Sequence, residues 1–210
     1  TPYGVSAQIV PWNFPLQIGA RSIACALATA NTVVLKSPEL SPLSLYMLAE
    51  VLAQAGVPAG TVNIITGLGH TTGAALASHH DIDHIVFTGS VATGCAILKS
   101  AAERIIPCIM ELGGKSAGII YPDANIDQAI NSTAIGIFTH SGQVCSACSR
   151  LLVHRSLHDE VVEKLVVAAK SRTVGPGIDG HDMPPLISAQ QLNKVESYCE
   201  QAIAQGATAA

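Results

Sequence analysis

Short β-branched or apolar runs alternate with helical stretches over the first 120 residues, and this alternation constrains the fold more than any other feature of the chain. Residues 5–10 read as a strand, 16–30 as a helix, 32–35 as a buried strand and 62–66 as the next strand. A helix is expected to open at Ser41-Pro42, with Ser41 as its cap and Pro42 at its first position, and to stop at Gly56. Leu45, Leu48, Ala49 and Leu52 share one face of that helix. A further helix, a strand at 85–88, a glycine-bounded turn at 89–94 and a helix to about Arg104 follow. Strand, helix, strand at this spacing predicts an α/β fold of parallel βαβ units, an open sheet covered on both faces.

The phase changes at Glu111-Leu112-Gly113-Gly114-Lys115. Beyond it, 117–121 reads as a strand, 126–138 as a helix, 151–154 as a strand, 157–169 as a helix and 175–185 as a Pro/Gly-rich surface loop. A domain boundary is expected near Gly113, dividing the chain into residues 1–112 and 113–210.

Composition removes several functional classes. Apolar residues make up 49% of the 210 positions and charged residues 12%, the reverse of a disordered chain. The formal charge of −4 leaves no basic surface to follow a phosphate backbone, so nucleic acid is not an expected partner. The longest apolar stretch, 16–35, is interrupted by Arg21 and Asn31, which argues against a membrane span. The opening at Thr1 shows no initiator Met, basic n-region or cleavage signal, so secretion is not expected from these residues. Cys25, Cys95, Cys108, Cys145, Cys148 and Cys199 are scattered through apolar surroundings, a pattern that suits reduced thiols in a cytoplasmic protein. The abrupt opening at Thr1-Pro2-Tyr3-Gly4 and the scarcity of charge lead to the expectation of a piece of a longer protein.

Four groups of residues carry chemistry. Cys145, in Gly142-Gln143-Val144-Cys145, is a candidate nucleophile, because a thiolate placed on a loop attacks carbonyls well. Its partner in Cys145-Ser146-Ala147-Cys148 leaves open a redox pair or half of a zinc site, although no second ligand pair follows at a suitable spacing. Glu111 closes the apolar run 105–110, and a buried carboxylate at a strand's carboxyl end is a candidate general base. Gly67-Leu68-Gly69-His70-Thr71-Thr72-Gly73 and Gly89-Ser90-Val91-Ala92-Thr93-Gly94 each follow a strand and open a helix, where backbone N–H groups can meet a pyrophosphate. Tight βα turns use glycine for the same local reason. Lys36 and Glu39 lie just past the second strand, where an acidic side chain can accept both ribose hydroxyls of NAD and repel a 2′-phosphate.

Taken in order, these groups resemble the aldehyde dehydrogenase family. Pro11-Trp12-Asn13-Phe14-Pro15 is similar to its P-W-N-F-P signature and Lys36-x-x-Glu39 to its ribose-binding K-x-x-E. Phe87-Thr88-Gly89-Ser90 resembles F-T-G-S, Glu111-Leu112-Gly113-Gly114-Lys115 resembles E-L-G-G-K, and 142–145 resembles G-Q-x-C. The separation of Glu111 and Cys145 by thirty-four positions fits the same pattern.

The resemblance implies a Rossmann-like NAD domain over part of residues 1–112 and the first part of a catalytic domain over 113–210. It implies an oxidoreductase that converts a small aldehyde to a carboxylic acid with NAD. Cys145 would attack the aldehyde, Asn13 and the Cys145 N–H would hold the oxyanion, and Glu111 would activate water against the thioester. Ile9, Pro11, Trp12, Lys36, Glu39, Gly69, Gly73, Gly89, Ser90, Gly94 and Leu112 would line the cofactor. Cys148 falls outside the motif. A homo-oligomer is implied for the full-length form, and a second nicotinamide-ribose contact would lie beyond Ala210. A CoA-acylating relative shares G-Q-x-C, but Glu111 argues against it; a non-catalytic nucleotide-binding fragment is the rival of another class. Departures from the family pattern fall at Cys95, Ala117-Gly118 and His140-Ser141, and none removes a named catalytic group.

Overall fold

The computed structural model describes residues 1–210, which fall into two compact units, Thr1–Gly113 and Gly114–Ala210. The first unit is built from β1 (Val5–Ile9), α1 (Pro15–Ala28), β2 (Thr32–Lys36), α2 (Leu43–Gln54), β3 (Val62–Ile65), α3 (Ala74–Ser78), β4 (His84–Gly89), α4 (Val91–Ala102) and β5 (Cys108–Leu112). A π-helical turn, Gly69–Gly73, leads into α3. All five strands pair in parallel, as the alternation predicts, and the structure orders them β3-β2-β1-β4-β5.

Strand alternation divides the core into two layers. Ala7 and Ile9 of β1 face a cluster with Leu76, Ile85, Phe87 and Ile97, while Val10, Val33 and Leu35 join Ile23, Ala26 and Leu45 on the other side. Gly19, Ser22, Ile23 and Ala26 form the buried stripe of α1 at helical spacing. A Cβ on Gly19 would stand 2.6 Å from Leu45 Cδ2, so glycine is what allows α1 and α2 to pack this closely.

The order of the strands matters more than their number. From β1 the chain runs outward to β2 and β3, then returns to the opposite side of β1 for β4 and β5. The sheet therefore changes winding direction beside β1. Open α/β sheets bind ligands at the carboxyl ends of strands at such a point.

The second unit comprises β6 (Ala117–Ile120), α5 (Ile126–Phe138), β7 (Arg150–Val153), α6 (His158–Lys170) and α7 (Ala189–Ala204). β6 and β7 pair in parallel, and Ile120, Ile130 and Val161 form their small core with α5 and α6. The loop expected at 175–185 holds itself together: the Gly175 N–H donates to the Met183 carbonyl and the Met183 N–H to the Thr173 carbonyl, both at 3.0 Å, and the Asp182 carboxylate accepts from the N–H and hydroxyl of Thr173 at 2.8 Å each.

Several expectations need correction. Ser41 does not cap α2; its hydroxyl donates to the Trp12 carbonyl at 2.8 Å, and the helix begins at Leu43. The turn expected at 89–94 is shorter, because Ser90 caps α4 and Gly94 already lies inside that helix. The helix expected to reach Arg104 ends at Ala102. The helix expected from 157 is preceded by a 3-10 turn, Arg155–Leu157, and starts at His158. The cysteines are not sheltered in apolar surroundings: Cys25, Cys95, Cys145 and Cys199 are exposed, and all six are free thiols. No helix is long and apolar enough to cross a membrane.

Candidate functional site

The thirteen candidate residues of the first unit all lie at, or follow directly from, the carboxyl ends of its strands. Ile9 closes β1, and Pro11, Trp12 and Asn13 form the turn into α1. Lys36 closes β2 with Glu39 three residues on; Gly69 and Gly73 follow β3; Gly89, Ser90 and Gly94 follow β4; Glu111 and Leu112 close β5. Five short stretches, separated by up to a hundred residues, thus meet along one edge of one sheet.

Hydrogen bonds tie these stretches together. Lys36 Nζ pairs with Glu39 Oε2 at 2.5 Å, and Glu39 Oε1 accepts the Gly69 N–H at 3.2 Å. Burial pushes the Glu39 carboxyl up, but the Lys36 ammonium and the N–H groups bonded to it outweigh that and leave it below its ordinary value. The Ser41 bond to Trp12 joins the loop after β1 to the loop after β2. Within 11–15, the Phe14 N–H donates to Asn13 Oδ1 at 3.2 Å, which fixes the plane of that amide.

Between the 69–78 segment and α4 runs a cleft of about 700 Å³, floored by Ile9 and bounded by Gly69, His70 and Gly73 on one side and Thr93 and Ser100 on the other. Gly73 has no atom within 4 Å of where a Cβ would stand, so the absence of a side chain leaves open space there. The donor set at the edge is a carboxylate, an ammonium and hydroxyls around a largely apolar trough. That chemistry fits a dinucleotide, whose adenine is flat and apolar and whose ribose offers hydroxyls.

Gly89 and Gly94 have packing reasons for being glycine. A Cβ on Gly94 would lie 2.8 Å from Leu112 Cδ2, and one on Gly89 would lie 2.5 Å from Phe87 Cζ. The Ser90 hydroxyl accepts from the Thr93 N–H at 3.2 Å and bonds its hydroxyl at 2.8 Å, capping α4. Glu111 stands opposite Thr88 within the β4–β5 ladder, and it is exposed. The burial expected around this carboxylate is not supplied by the first unit.

Cys145 belongs to the second unit, on a turn between α5 and β7. Three backbone bonds fix that turn: Ala147 N–H to the Val144 carbonyl at 3.1 Å, Cys148 N–H to the Gly136 carbonyl at 3.1 Å, and Gly114 N–H to the Cys145 carbonyl at 3.3 Å. The thiol is exposed. Ahead of it, His140, Ser141 and Gly142 all take left-handed conformations, with φ of 55°, 56° and 73°. Two consecutive non-glycine residues there store about 1–2 kcal/mol each. The conformation is held by Gln143, which donates to the His140 carbonyl at 3.1 Å and accepts the Ile187 N–H at 3.0 Å, and by Ser141 donating to the Pro184 carbonyl. Cys148 turns toward α5: a Cβ on Gly136 would lie 3.4 Å from its Sγ.

Sequence reasoning missed the walls of the cleft and the bracing role of Gln143. Small residues at helical spacing after each glycine loop (Gly73, Ala74 and Ala77; Ala92, Ala96 and Ser100) were the available signal for the walls.

The family model described as "Aldehyde dehydrogenase family" matches residues 1–210. The mitochondrial aldehyde dehydrogenase of Leishmania tarentolae is 45% identical over 209 residues, covering 99% of this chain and 42% of that protein. A solved NAD+ complex of aldehyde dehydrogenase from Bacillus cereus superposes with a TM-score of 0.97 at 46% identity, over 99% of this chain and 42% of that one. Betaine aldehyde dehydrogenase from Staphylococcus aureus, solved with NAD+, gives a TM-score of 0.97 at 41% identity, over 100% of this chain and 42% of that one. The chain thus spans about two-fifths of the length of these relatives. On the match over its whole length, the chain belongs to the aldehyde dehydrogenase family.

Proposed function

We propose that the protein carrying this chain oxidises an aldehyde to a carboxylic acid with NAD. The observation that carries the reading is the convergence of Lys36, Glu39, Gly69, Ser90 and Trp12 on one edge of the sheet beside an open apolar cleft. NAD supplies a hydride acceptor. Glu39 would take the adenosine ribose hydroxyls, with Lys36 beside it, while Ile9, Gly69 and Gly73 line the cleft and Trp12, Ser90 and Leu112 flank the remainder.

In this reading residues 1–112 bind the cofactor and residues 113–210 begin the catalytic domain. The Cys145 thiolate adds to the aldehyde carbon, giving a thiohemiacetal. The Cys145 N–H and the Asn13 amide donate to the oxyanion. Loss of hydride leaves a thioester, and water activated by Glu111 hydrolyses it to the acid and returns the thiolate. The left-handed stretch before Gln143 supports this role, because strained backbone braced by surrounding groups is a mark of positioned functional residues. Six free thiols support a cytoplasmic setting, and exposed apolar side chains such as Leu43, Met47 and Leu98 support a homo-oligomer.

The test is aldehyde-dependent reduction of NAD by the full-length protein, with Cys145→Ala as control. Equal rates in the two proteins would refute the reading.

A further inference from the structure

The half-buried Gln143 stands two residues before Cys145, and its side chain reaches a segment forty-four positions further along the chain. Its Nε2 donates to the His140 carbonyl at 3.1 Å, and its Oε1 accepts the Ile187 N–H at 3.0 Å. These partners fix which way the amide faces, because a carbonyl only accepts and a backbone N–H only donates. The Gln143 N–H also donates to the His140 carbonyl, at 3.1 Å. One residue thus closes the left-handed stretch His140-Ser141-Gly142 with two bonds to its first carbonyl and ties it to a distant segment with a third.

We propose that Gln143 is a positioning residue for acylation: its amide holds the left-handed turn that aims Cys145 at the aldehyde carbon, and its donor to the His140 carbonyl is the arm on which this depends. The inference rests on the reading of Cys145 as the nucleophile.

His140 and Ser141, with φ of 55° and 56°, occupy a conformation that side-chain-bearing residues leave unless their surroundings hold it. The anchor for that hold is itself fixed. Ile187 adjoins Ser188, whose hydroxyl accepts the Gln191 N–H at 3.2 Å and caps α7, and Ser141 donates to the Pro184 carbonyl of the same segment. On the other side of the nucleophile, the Cys148 N–H bonds the Gly136 carbonyl and the Gly114 N–H bonds the Cys145 carbonyl. Cys145 therefore lies on a short span between two secured points, and the Gln143 amide is part of the first. Both arms need a side chain of this length with a donor and an acceptor. Methionine at this position offers no donor, and an ionised glutamate keeps the acceptor for Ile187 but turns a carboxylate oxygen toward the His140 carbonyl. A reacting atom displaced by about 1 Å costs on the order of a hundredfold in rate.

The test uses the full-length protein as wild type, Gln143→Met and Gln143→Glu, with Asn125→Ala as a stability control. Asn125 caps α5 by accepting the Gln128 N–H at 3.0 Å, so its loss weakens the same unit without touching the turn. NADH formation is followed at neutral pH in single turnover, with enzyme in excess over propanal or benzaldehyde, so that the rate reports acylation and hydride transfer and not release of the acid. Calorimetry gives the dissociation constant for NAD, and circular dichroism the melting temperature. Both Gln143 variants should slow single turnover by about ten- to a hundredfold with NAD affinity unchanged. Asn125→Ala should melt earlier and keep the wild-type rate. If wild type oxidises an aldehyde and either Gln143 variant matches its rate, the positioning role is wrong and the proposed function stands. An equal slowing in Asn125→Ala would trace the effect to stability and overturn the role as well. If wild type oxidises neither aldehyde, the reading of Cys145 fails and this inference fails with it.

Discussion

Lys36 and Glu39 form an ion pair of unequal burial: the lysine side chain is 3% exposed and the glutamate 42%, with 2.5 Å between Nζ and Oε2. A buried ammonium at the end of β2 needs a counter-charge, and Glu39 supplies it while keeping its other oxygen on the Gly69 N–H. The residue proposed to meet the ribose is thus also the one that neutralises the strand end. Stability and recognition are coupled at this position.

Glu39→Gln should expose both roles. The amide has a single acceptor oxygen, so it keeps the bond from Lys36 or the one from Gly69 but not both; the fold survives, at a loss of about 1 kcal/mol for a partly exposed pair. The NAD preference over NADP should narrow, because the repulsion of a 2′-phosphate is removed. Since the folded-state value of Glu39 lies below its ordinary 4.5, its contribution is fully present above that pH and fades as pH falls below it. Melting temperatures of wild type and variant should therefore converge in acid. A constant gap from neutral pH into acid would refute the linkage.

His84 predicts a second pH dependence. It is 8% exposed, stacked on Tyr3 with ring centroids 4.8 Å apart, and its Nδ1 meets Ser6 Oγ at 3.1 Å. Burial lowers its affinity for a proton below the ordinary value of 6.5. The unfolded chain therefore takes up this proton first as pH falls, and stability drops from pH 6.5 downward toward the folded value. His84→Gln should be less stable at neutral pH yet lose less on acidification. Thermal melts across that range check it, and parallel losses in the two proteins would count against His84 as the source.

The division between what the sequence disclosed and what it withheld follows range. The parallel sheet and its edge were legible because hydrophobic period and turn residues are local signals. The start of α2 was not, because Ser41 gives its hydroxyl to Trp12, twenty-nine residues away. Helix α7 buries no residue, so its apolar stripe has no partner within the chain. The left-handed turn at 140–142 was invisible for a related reason: only Gly142 carries the usual residue for it, and His140 and Ser141 are held there by Pro184, Ile187 and Gln143. Gly94 read as a phosphate turn when the neighbour that requires it is Leu112.

That turn yields a prediction about positioning. Gly142 has φ of 73°, and a Cβ there would lie 3.2 Å from the Ile137 carbonyl oxygen. Gly142→Ala should cost about 1–2 kcal/mol from the left-handed conformation alone. Because Cys145 lies three residues on, kcat should fall by more than the loss of folded protein explains. Comparing kcat per folded molecule, with folding measured by circular dichroism, separates the two effects. A variant that melts earlier yet retains full kcat would show that the turn does not position the nucleophile.

The last prediction separates Cys145, Glu111 and Cys148. Removing the Cys145 thiol removes the covalent route, so Cys145→Ala should abolish oxidation by the full-length protein. Glu111 acts after hydride transfer in the proposed sequence, so Glu111→Gln should complete one acylation and then stall. Rapid mixing should show a burst of NADH near one per active site, followed by turnover slowed about a hundredfold or more, the scale of a lost general base. Cys148 anchors its turn through the backbone N–H on Gly136 and lays its side chain against α5, neither of which needs a thiol. Cys148→Ala should therefore keep most of the activity. Normal turnover in Cys145→Ala, or none in Cys148→Ala, would reverse the assignment of the nucleophile. A missing burst in Glu111→Gln would place Glu111 earlier in the sequence, as the base that deprotonates Cys145.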